Sequence, residues 1–448
     1  MKPLGVAAVL ALAFVVAGNA QAELVARHVQ DGMLALGRSG KPYVAFVRGR
    51  SLEVSERTAP GRWRTSKAAA VSPGSVLVGF AVGRAGPVAL VERADARTLV
   101  VARASGPGWV SSSLVSRLPA GISLGWPGLL LDGRGLPVIA YTRWHQTSRK
   151  STLYLARADG LGRLGSARVT SEGFPRSYVA PPAVPLVSHG RLHVIESYGI
   201  DGAVGTIEWY PHRKSWTGQF LDGGIGDYPV GRLLATVGSG GTVYAAWCEA
   251  LLGTGEFPVT VAVHGHEISS TFVDDRAFTT ALVASASGPE VAVNEWRAAA
   301  DLDLPGNGID WAGEVVARGR HVELDGWLAG LRRTAGGGRD LLLAGPAGLA
   351  WYHAPRPLTV RTAVDAVQLD DGRVTVGGRV RVVRGGKVLV YRERPGFPRA
   401  LVGSAPLGSD GSFSITDLPP AKPVFYRAIY RDPATAIPYA ALSHDPVG

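Results

Sequence analysis

Three glutamates, Glu196, Glu249 and Glu295, end apolar segments in three successive stretches of similar texture. Carboxylates that recur at one place in repeated units can be brought together, and a pair of them is what glycoside hydrolysis needs. That chemistry requires carboxyl groups about 5 to 9.5 Å apart with divided pKa values, a condition on geometry that spacing does not supply. Such acids more often pair with arginines, here Arg143, Arg176, Arg232 or Arg297, which would make them structural. Asp301-Leu302-Asp303 through Asp310 offers oxygen ligands at alternate positions and a glycine for the bend, as a calcium loop does. Pro305 stands where a further ligand belongs and Ala312 where the closing glutamate would be, so no resident metal or cofactor is expected and calcium at Asp301, Asp303 and Asp310 is the one left open.

Other chemistry-bearing patterns resolve into structure. Gly121-Ile122-Ser123-Leu124-Gly125 has the spacing of a serine-hydrolase elbow, but Trp126-Pro127-Gly128 stops any following helix, which places Ser123 in a loop. His264-Gly265-His266 reads as a tight turn rather than a metal clip. Cys248 is the single cysteine, which excludes an intrachain disulfide, and it closes the apolar run Tyr244-Ala245-Ala246-Trp247 as a small buried residue. Catalytic residues are therefore not assigned.

The elements that must hold these residues are strands. Of 448 residues, 46% are hydrophobic, with 59 glycines and 30 prolines, a balance of full cores and frequent tight turns that argues for an all-β chain. The net charge of +11 comes from 40 arginines and 7 lysines scattered along the chain, so acidic partners are favoured and a nucleic-acid surface is not indicated. Lys2, the apolar run Leu4 to Ala17 and Ala20-Gln21-Ala22 form a signal peptide over residues 1–22, which implies export and a secreted or cell-surface protein. That run of 14 residues is short of the roughly 20 needed to span a bilayer, and no other apolar run reaches its length.

Strands bounded by glycine recur in sets of four. Met33 to Leu36, Tyr43 to Val47, Leu52 to Glu56 and Trp63 to Ser66 make the first set. Val76 to Val82, Val88 to Val91, Leu99 to Arg103 and Trp109 to Val115 repeat it, with Trp63 and Trp109 in the same place after a Pro-Gly turn or its equivalent, so these tryptophans and Trp216 are read as packing residues. A third set begins at Leu129, and others begin near Pro185, Leu233, Leu282 and Leu328. Four short strands per repeat define propeller blades, and the expectation is seven blades, or six, over residues 23–356, with Glu23 to His28 completing the last blade. Beyond Pro355-Arg356-Pro357, residues 357–448 read as a separate β-sandwich with the hairpin turn Asp410-Gly411.

Leu136-Pro137-Val138-Ile139-Ala140-Tyr141 followed by Leu153-Tyr154-Leu155-Ala156-Arg157-Ala158-Asp159-Gly160 resembles the blade lines of the sialidase-like group of bacterial propellers. The resemblance spans residues 29 to about 355 and implies the fold, with glycoside hydrolase or lyase activity as its functional counterpart. That group is marked by Ser-x-Asp-x-Gly-x-x-Trp turns, and no turn here carries the full set. Gly378-Arg379-Val380, Lys387 to Arg392, Ser409-Asp410-Gly411-Ser412-Phe413 and Phe425-Tyr426-Arg427-Ala428 resemble the Ig-like modules appended to secreted bacterial proteins, which implies a spacer, stabilising or adhesion role.

Connectors between second and third strands are long in the middle units, at Trp144 to Lys150, Tyr198 to Gly202, Ala250 to Glu256 and Ala298 to Gly308. They share a face with the aromatic crossings between units, so Trp126, Trp144, His145, Tyr178, Tyr198, Tyr228, Phe278 and Trp296 form the expected ligand-binding face. The functional expectation is a monomeric, non-catalytic binding or scaffold protein. Its partner is a carbohydrate, an anionic envelope polymer or another protein, with a sialidase-like hydrolase as the alternative.

Overall fold

The computed structural model describes residues 22–29, 31–158, 163–170, 177, 179–200, 203–213, 215–224, 228–250, 259–263, 266–271, 276–285, 288–297, 310–317, 320–368, 371–381, 385–394, 399–419, 423–443 and 447. Most of the expected signal peptide lies outside them. Apart from the short 3-10 turn Ser239–Gly241, the regular structure among the described residues is all β. No helix there is long and apolar enough to cross a membrane.

From Met33 to Ala354 the described strands fall into seven successive antiparallel groups of neighbouring strands. Met33–Leu36, Pro42–Arg48, Ser51–Ala59 and Arg62–Ala70 form the first, and Val76–Gly83, Gly86–Glu92, Leu99–Ser105 and Gly108–Val115 the second. In these two groups the strands pair in chain order, because the turns between them are short. Gly128–Leu131, Ala183–Ser188, Tyr228–Val237, Arg276–Ser285 and Trp327–Arg333 open the remaining five. These opening strands touch one another in cyclic order, with Trp327–Arg333 returning to Met33–Leu36, so the groups make a closed, propeller-like ring with the opening strands innermost.

Apolar layers fill the wedges between neighbouring groups. Ala35, Leu52, Leu77 and Val91 are buried between the first and second, and Val78, Leu90, Ile139 and Tyr141 between the second and third. Close approach of the inner strands demands small residues at particular points. A side chain at Gly330 would meet the Leu34 Cβ at 2.8 Å, and one at Gly79 would meet the Leu129 Cβ at 2.9 Å. A buried ion pair also crosses one wedge. Arg339 is 1% exposed and bonds both Glu290 carboxylate oxygens and the Gly337 and Gly338 carbonyls, so every one of its polar groups that leaves water finds an acceptor.

The seventh group takes its fourth strand from the opposite end of the chain. Glu23–Arg27 pairs antiparallel with Gly348–Ala354, which itself follows Arg339–Gly345 and Trp327–Arg333. Gly348 must be glycine there: its φ is +122°, and a Cβ would sit 2.1 Å from the Ala26 carbonyl oxygen. Glu23 then reaches from this last sheet to the first. Its carboxylate accepts from Arg57 Nε at 2.8 Å and Nη2 at 2.7 Å, the Gly61 amide at 2.9 Å and Trp63 Nε1 at 3.1 Å. Burial pushes this carboxyl upward, but Arg57 and the other donors outweigh it and hold it below the usual glutamate range.

The C-terminal residues form a three-stranded sheet, Arg361–Gln368, Val374–Arg381 and Ser412–Asp417, and a four-stranded one built from Lys387–Glu393, Ala400–Pro406, Phe425–Arg431 and Pro438–Leu442. The second sheet continues the sixth ring sheet edge to edge, with Tyr439 paired to Leu324. One apolar core runs through both regions, from Val322, Leu324 and Tyr352 to Tyr426 and Tyr439. Arg427, 1% exposed, bonds Glu393 at 2.6 Å and faces Glu323 at 3.7 Å, while Arg399 holds Asp325 at 2.7 Å. The Pro355-Arg356-Pro357 linker therefore joins regions that are already fused.

Some expected loops are strands. Ile122–Leu124, which contains Ser123, pairs with Pro137–His145, and Ser123 faces Trp144 across the ladder. The expected connectors at Trp144 to Lys150 and Tyr198 to Gly202 are largely hairpin extensions, because the ladder persists through Trp144↔Ser151 and His145↔Lys150 in one case and Tyr198↔Gly205 in the other. Persistent pairing satisfies backbone groups that a loop would leave to water. The fourth strand of the third group is Leu164–Arg168.

Two stability outcomes follow. Glu23→Gln removes the charge from a carboxylate with four donors, and urea titration of the variant should show a loss of about 1–3 kcal/mol with unchanged m-value. Arg427→Ala leaves Glu393 buried without its partner and should cost about 3–5 kcal/mol, while probes in the ring and in the C-terminal sheets still unfold at one shared midpoint.

Candidate binding site at the axial mouth

The inner strands all start at one end of the ring, and polar residues gather there because strand ends are where backbone groups lack ladder partners. Glu196 pairs across from Ala183, Glu249 across from Pro229 and Glu295 across from Ala277, so all three sequence-selected acids belong to this end. Their side chains are differently placed from an open catalytic pair. Glu196 and Glu249 are both 0% exposed. The Trp209 indole Nε1 donates to Glu196 Oε2 at 3.0 Å, and the Trp247 Nε1 to Glu249 Oε1 at 2.5 Å. Glu196 thus takes an indole rather than the expected arginine, and its Oε1 has no partner among the described residues. Burial pushes its carboxyl up to about 8, with the Trp209 bond opposing. The side chain of Glu295 lies outside the described residues.

Further polar ends of second strands act as stitches between neighbouring groups. Asn294 accepts the Leu328 amide at 2.6 Å and donates to the Leu328 carbonyl at 3.1 Å, and Thr142 Oγ1 donates to the Pro181 carbonyl at 2.5 Å. Glu92, which the sequence reading passed over, pairs with Val76 at the same end. Burial, with Asp95 adding to it, pushes its carboxyl up to about 7. The only sequence signal for it was its place at the end of a second strand.

Two hollows adjoin at this mouth. An axial cavity of about 170 Å³ is walled by inner strands and includes Leu34, Phe80, Trp126, Arg232, Leu234 and Arg332. A groove of about 610 Å³ lies over the seventh, first and second groups, with His28, Asp31, Arg48, Ser75 and Leu77 among its walls. Leu77 links the two: its side belongs to the groove, and its carbonyl accepts Arg232 Nη2 at 2.8 Å. Ser75 Oγ is buried without a hydrogen-bond partner among the described residues.

Of the expected binding-face residues, Trp126 stands inside the axial cavity, its ring centroid 5.5 Å from the Arg232 guanidinium carbon. Trp144 and His145 are at the tip of the third group, and the Trp144 Nε1 donates to the Ser177 carbonyl at 2.9 Å. Tyr198 lies across Gly205, where a Cβ would meet its ring at 2.5 Å. Tyr178, Asp301 and Asp303 lie outside the described residues, as do the side chains of Tyr228, Phe278, Trp296 and Asp310. Among the described residues no group of three or more His, Cys, Asp or Glu is placed to hold a metal. Cys248 is fully buried, and burial, reinforced by Glu249, pushes its thiol well above the usual range.

No protein-family model matches the chain, and no curated protein matches it. Solved structures share its shape at low identity. The Aleuria aurantia lectin in complex with alpha-methyl-L-fucoside is 10% identical, with 73% of this chain and 95% of that one covered at a TM-score of 0.40. An alpha-L-arabinanase from Penicillium chrysogenum, complexed with arabinobiose, is 12% identical over 63% and 93% at 0.41. For a putative 6-phosphogluconolactonase from Bacteroides uniformis the values are 13%, 84% and 100%, and 0.41. Likenesses of this strength say nothing of what this chain binds.

The Glu196 carboxyl makes a pH prediction. In the unfolded chain it loses its proton near 4.5 and in the folded chain near 8, so between these values the folded state binds more protons and stability falls as pH rises. Glu196→Gln keeps an acceptor for Trp209 and removes this loss. Denaturation of the variant should match the wild type near pH 4 and exceed it by roughly 2–4 kcal/mol near pH 9.

Proposed function

We propose that the chain is an exported, non-catalytic recognition protein, a seven-bladed propeller with an Ig-like sandwich fused to its sixth blade, that binds an anionic carbohydrate or envelope polymer at its axial mouth. The observation that carries this reading is the burial of the described acids. Glu196 and Glu249 are sealed behind indoles with no exposed surface, so neither carboxyl can approach a glycosidic oxygen. What the mouth offers instead is a groove with His28, Arg48 and Asp31 on its walls, set in a chain of net charge +11. Long-range attraction from that charge would draw an acidic polymer to the mouth and weaken with salt. The eight aromatic and histidine positions of the expected face remain candidates for contact with the ligand.

Binding of the chain to a panel of bacterial and host glycans and cell-wall polymers, at low and moderate salt with mass analysis of each ligand afterwards, tests the proposal. Intact acidic ligands should be retained more strongly at low salt, and Arg48→Glu should weaken retention by at least fivefold while leaving the unfolding midpoint within about 2 °C. Shortened ligand after incubation would overturn the non-catalytic reading and return the glutamates to consideration.

A further inference from the structure

The two arginines in the wall of the axial cavity are out of balance with their surroundings. Around them the wall is largely apolar, with Leu34, Val78, Phe80, Leu129, Leu234 and Leu282 among its side chains. Arg232 stands midway along its inner strand, Tyr228–Val237, and Arg332 near the end of its own, Trp327–Arg333, and both line the cavity. Neither makes an ion pair among the described residues. Arg232 spends one donor on the Leu77 carbonyl and lies over Trp126, and the carboxylate that acts on it is Asp31, through space and from outside the cavity wall. Arg332 spends one donor on the Leu331 carbonyl at 3.0 Å. Asp340, paired with Arg332 across the ladder, is turned to His353 at 2.7 Å. Burial draws both guanidinium groups below the ordinary arginine range.

A guanidinium in an apolar wall costs free energy unless a counter-charge accompanies it, and its planar fork of donors matches the oxygens of phosphate and sulfate. We propose that the axial cavity is a binding site for one phosphate or sulfate group, anchored by Arg332 and held in the positive field of Arg232. Two guanidinium charges, that of Arg232 partly offset by Asp31, attract one such anion, and about 170 Å³ gives it room with its remaining waters. The group can arrive as the free ion or as the ester of a larger ligand whose body lies beyond the cavity. This site does not depend on the polymer-binding proposal, because its two arginines line the axial cavity and neither lines the groove.

Calorimetric titration of the full chain with inorganic phosphate, sulfate and phenyl phosphate at fixed low ionic strength tests it. Saturable binding of at least one of them, near one per chain, is expected; inorganic ions identify a free-ion site, and phenyl phosphate alone identifies an ester site. Arg332→Met should weaken binding at least tenfold. In anion-free buffer the same variant should melt no lower than the wild type, since an unpaired charge has left an apolar wall, and phosphate should raise the wild-type midpoint without raising that of the variant. Should Arg332→Met fail to fold, Arg332→Lys serves instead, with charge kept, the fork lost and binding weakened several-fold. Absence of saturable binding by all three compounds, or equal affinity in wild type and the Arg332 variant, overturns the proposal.

Discussion

Closure of the ring is the constraint on which the rest of this structure depends. A sheet that stacks only its faces on its neighbours has no backbone bond to them, so a ring of such sheets opens at whichever wedge is weakest. Here the wedge between the last and first groups is bridged by covalent connectivity, because Glu23–Arg27 belongs to the last sheet while the chain leads straight on into the first. Opening that wedge would also strip Glu23 of Arg57, Gly61 and Trp63 together. Arg57 adds a face-on contact to Trp351, its guanidinium carbon 4.6 Å from the ring centroid, so strands from both ends of the ring share one polar and aromatic cluster. Such a cluster is cooperative, since losing any member leaves the others partly desolvated without partners.

The same constraint explains why polar residues at second-strand ends are not free for chemistry. Each wedge needs directional bonds to fix the angle between groups, and side-chain donors and acceptors on first and second strands reach a neighbour's backbone without breaking a ladder. Asn294 on Leu328, Thr142 on Pro181 and Thr279 on Arg232 serve that purpose. Glu196 and Glu249 occupy comparable places with indole donors. The indole donors of Glu196 and Glu249 come from their own sheets, and both carboxyls are fully enclosed, which is the opposite of what a general acid needs.

The all-β class was legible because glycine-bounded apolar segments leave no helical periodicity, and in the first two groups the segments read from sequence overlap the observed strands closely. Trp63 was legible as packing for the same reason, and it stands against Trp351 with centroids 6.2 Å apart. The hairpin extensions at Trp144 and Tyr198 were not legible: their polar and glycine residues look like loop, and only the cross-strand partner, such as Gly205 beneath Tyr198, shows that the ladder continues. The groove was beyond sequence altogether. His28, Arg48, Ser75 and Pro346 come from chain segments brought together by ring closure, and no spacing rule joins them.

Fusion of the C-terminal sheets to the sixth ring sheet carries the argument one step further. An exposed fourth-strand edge at Arg320–Asp325 would invite pairing with another chain, and Pro438–Leu442 covers it. The coupling is made rigid by charge as well as by the ladder: Glu323 and Asp325 on that edge face Arg427 and Arg399, and Glu393 lies between the two arginines. This network and the shared core lie at the outer edge of the sixth sheet, so among the described residues the sandwich acts on the ring by tilting the whole sixth group against its neighbours. That tilt is opposed on one side by Arg339 and Glu290 and on the other by Thr279 bonded to the Arg232 carbonyl. Arg232, whose guanidinium lines the axial cavity, is thus also a backbone stitch between the fifth and sixth groups.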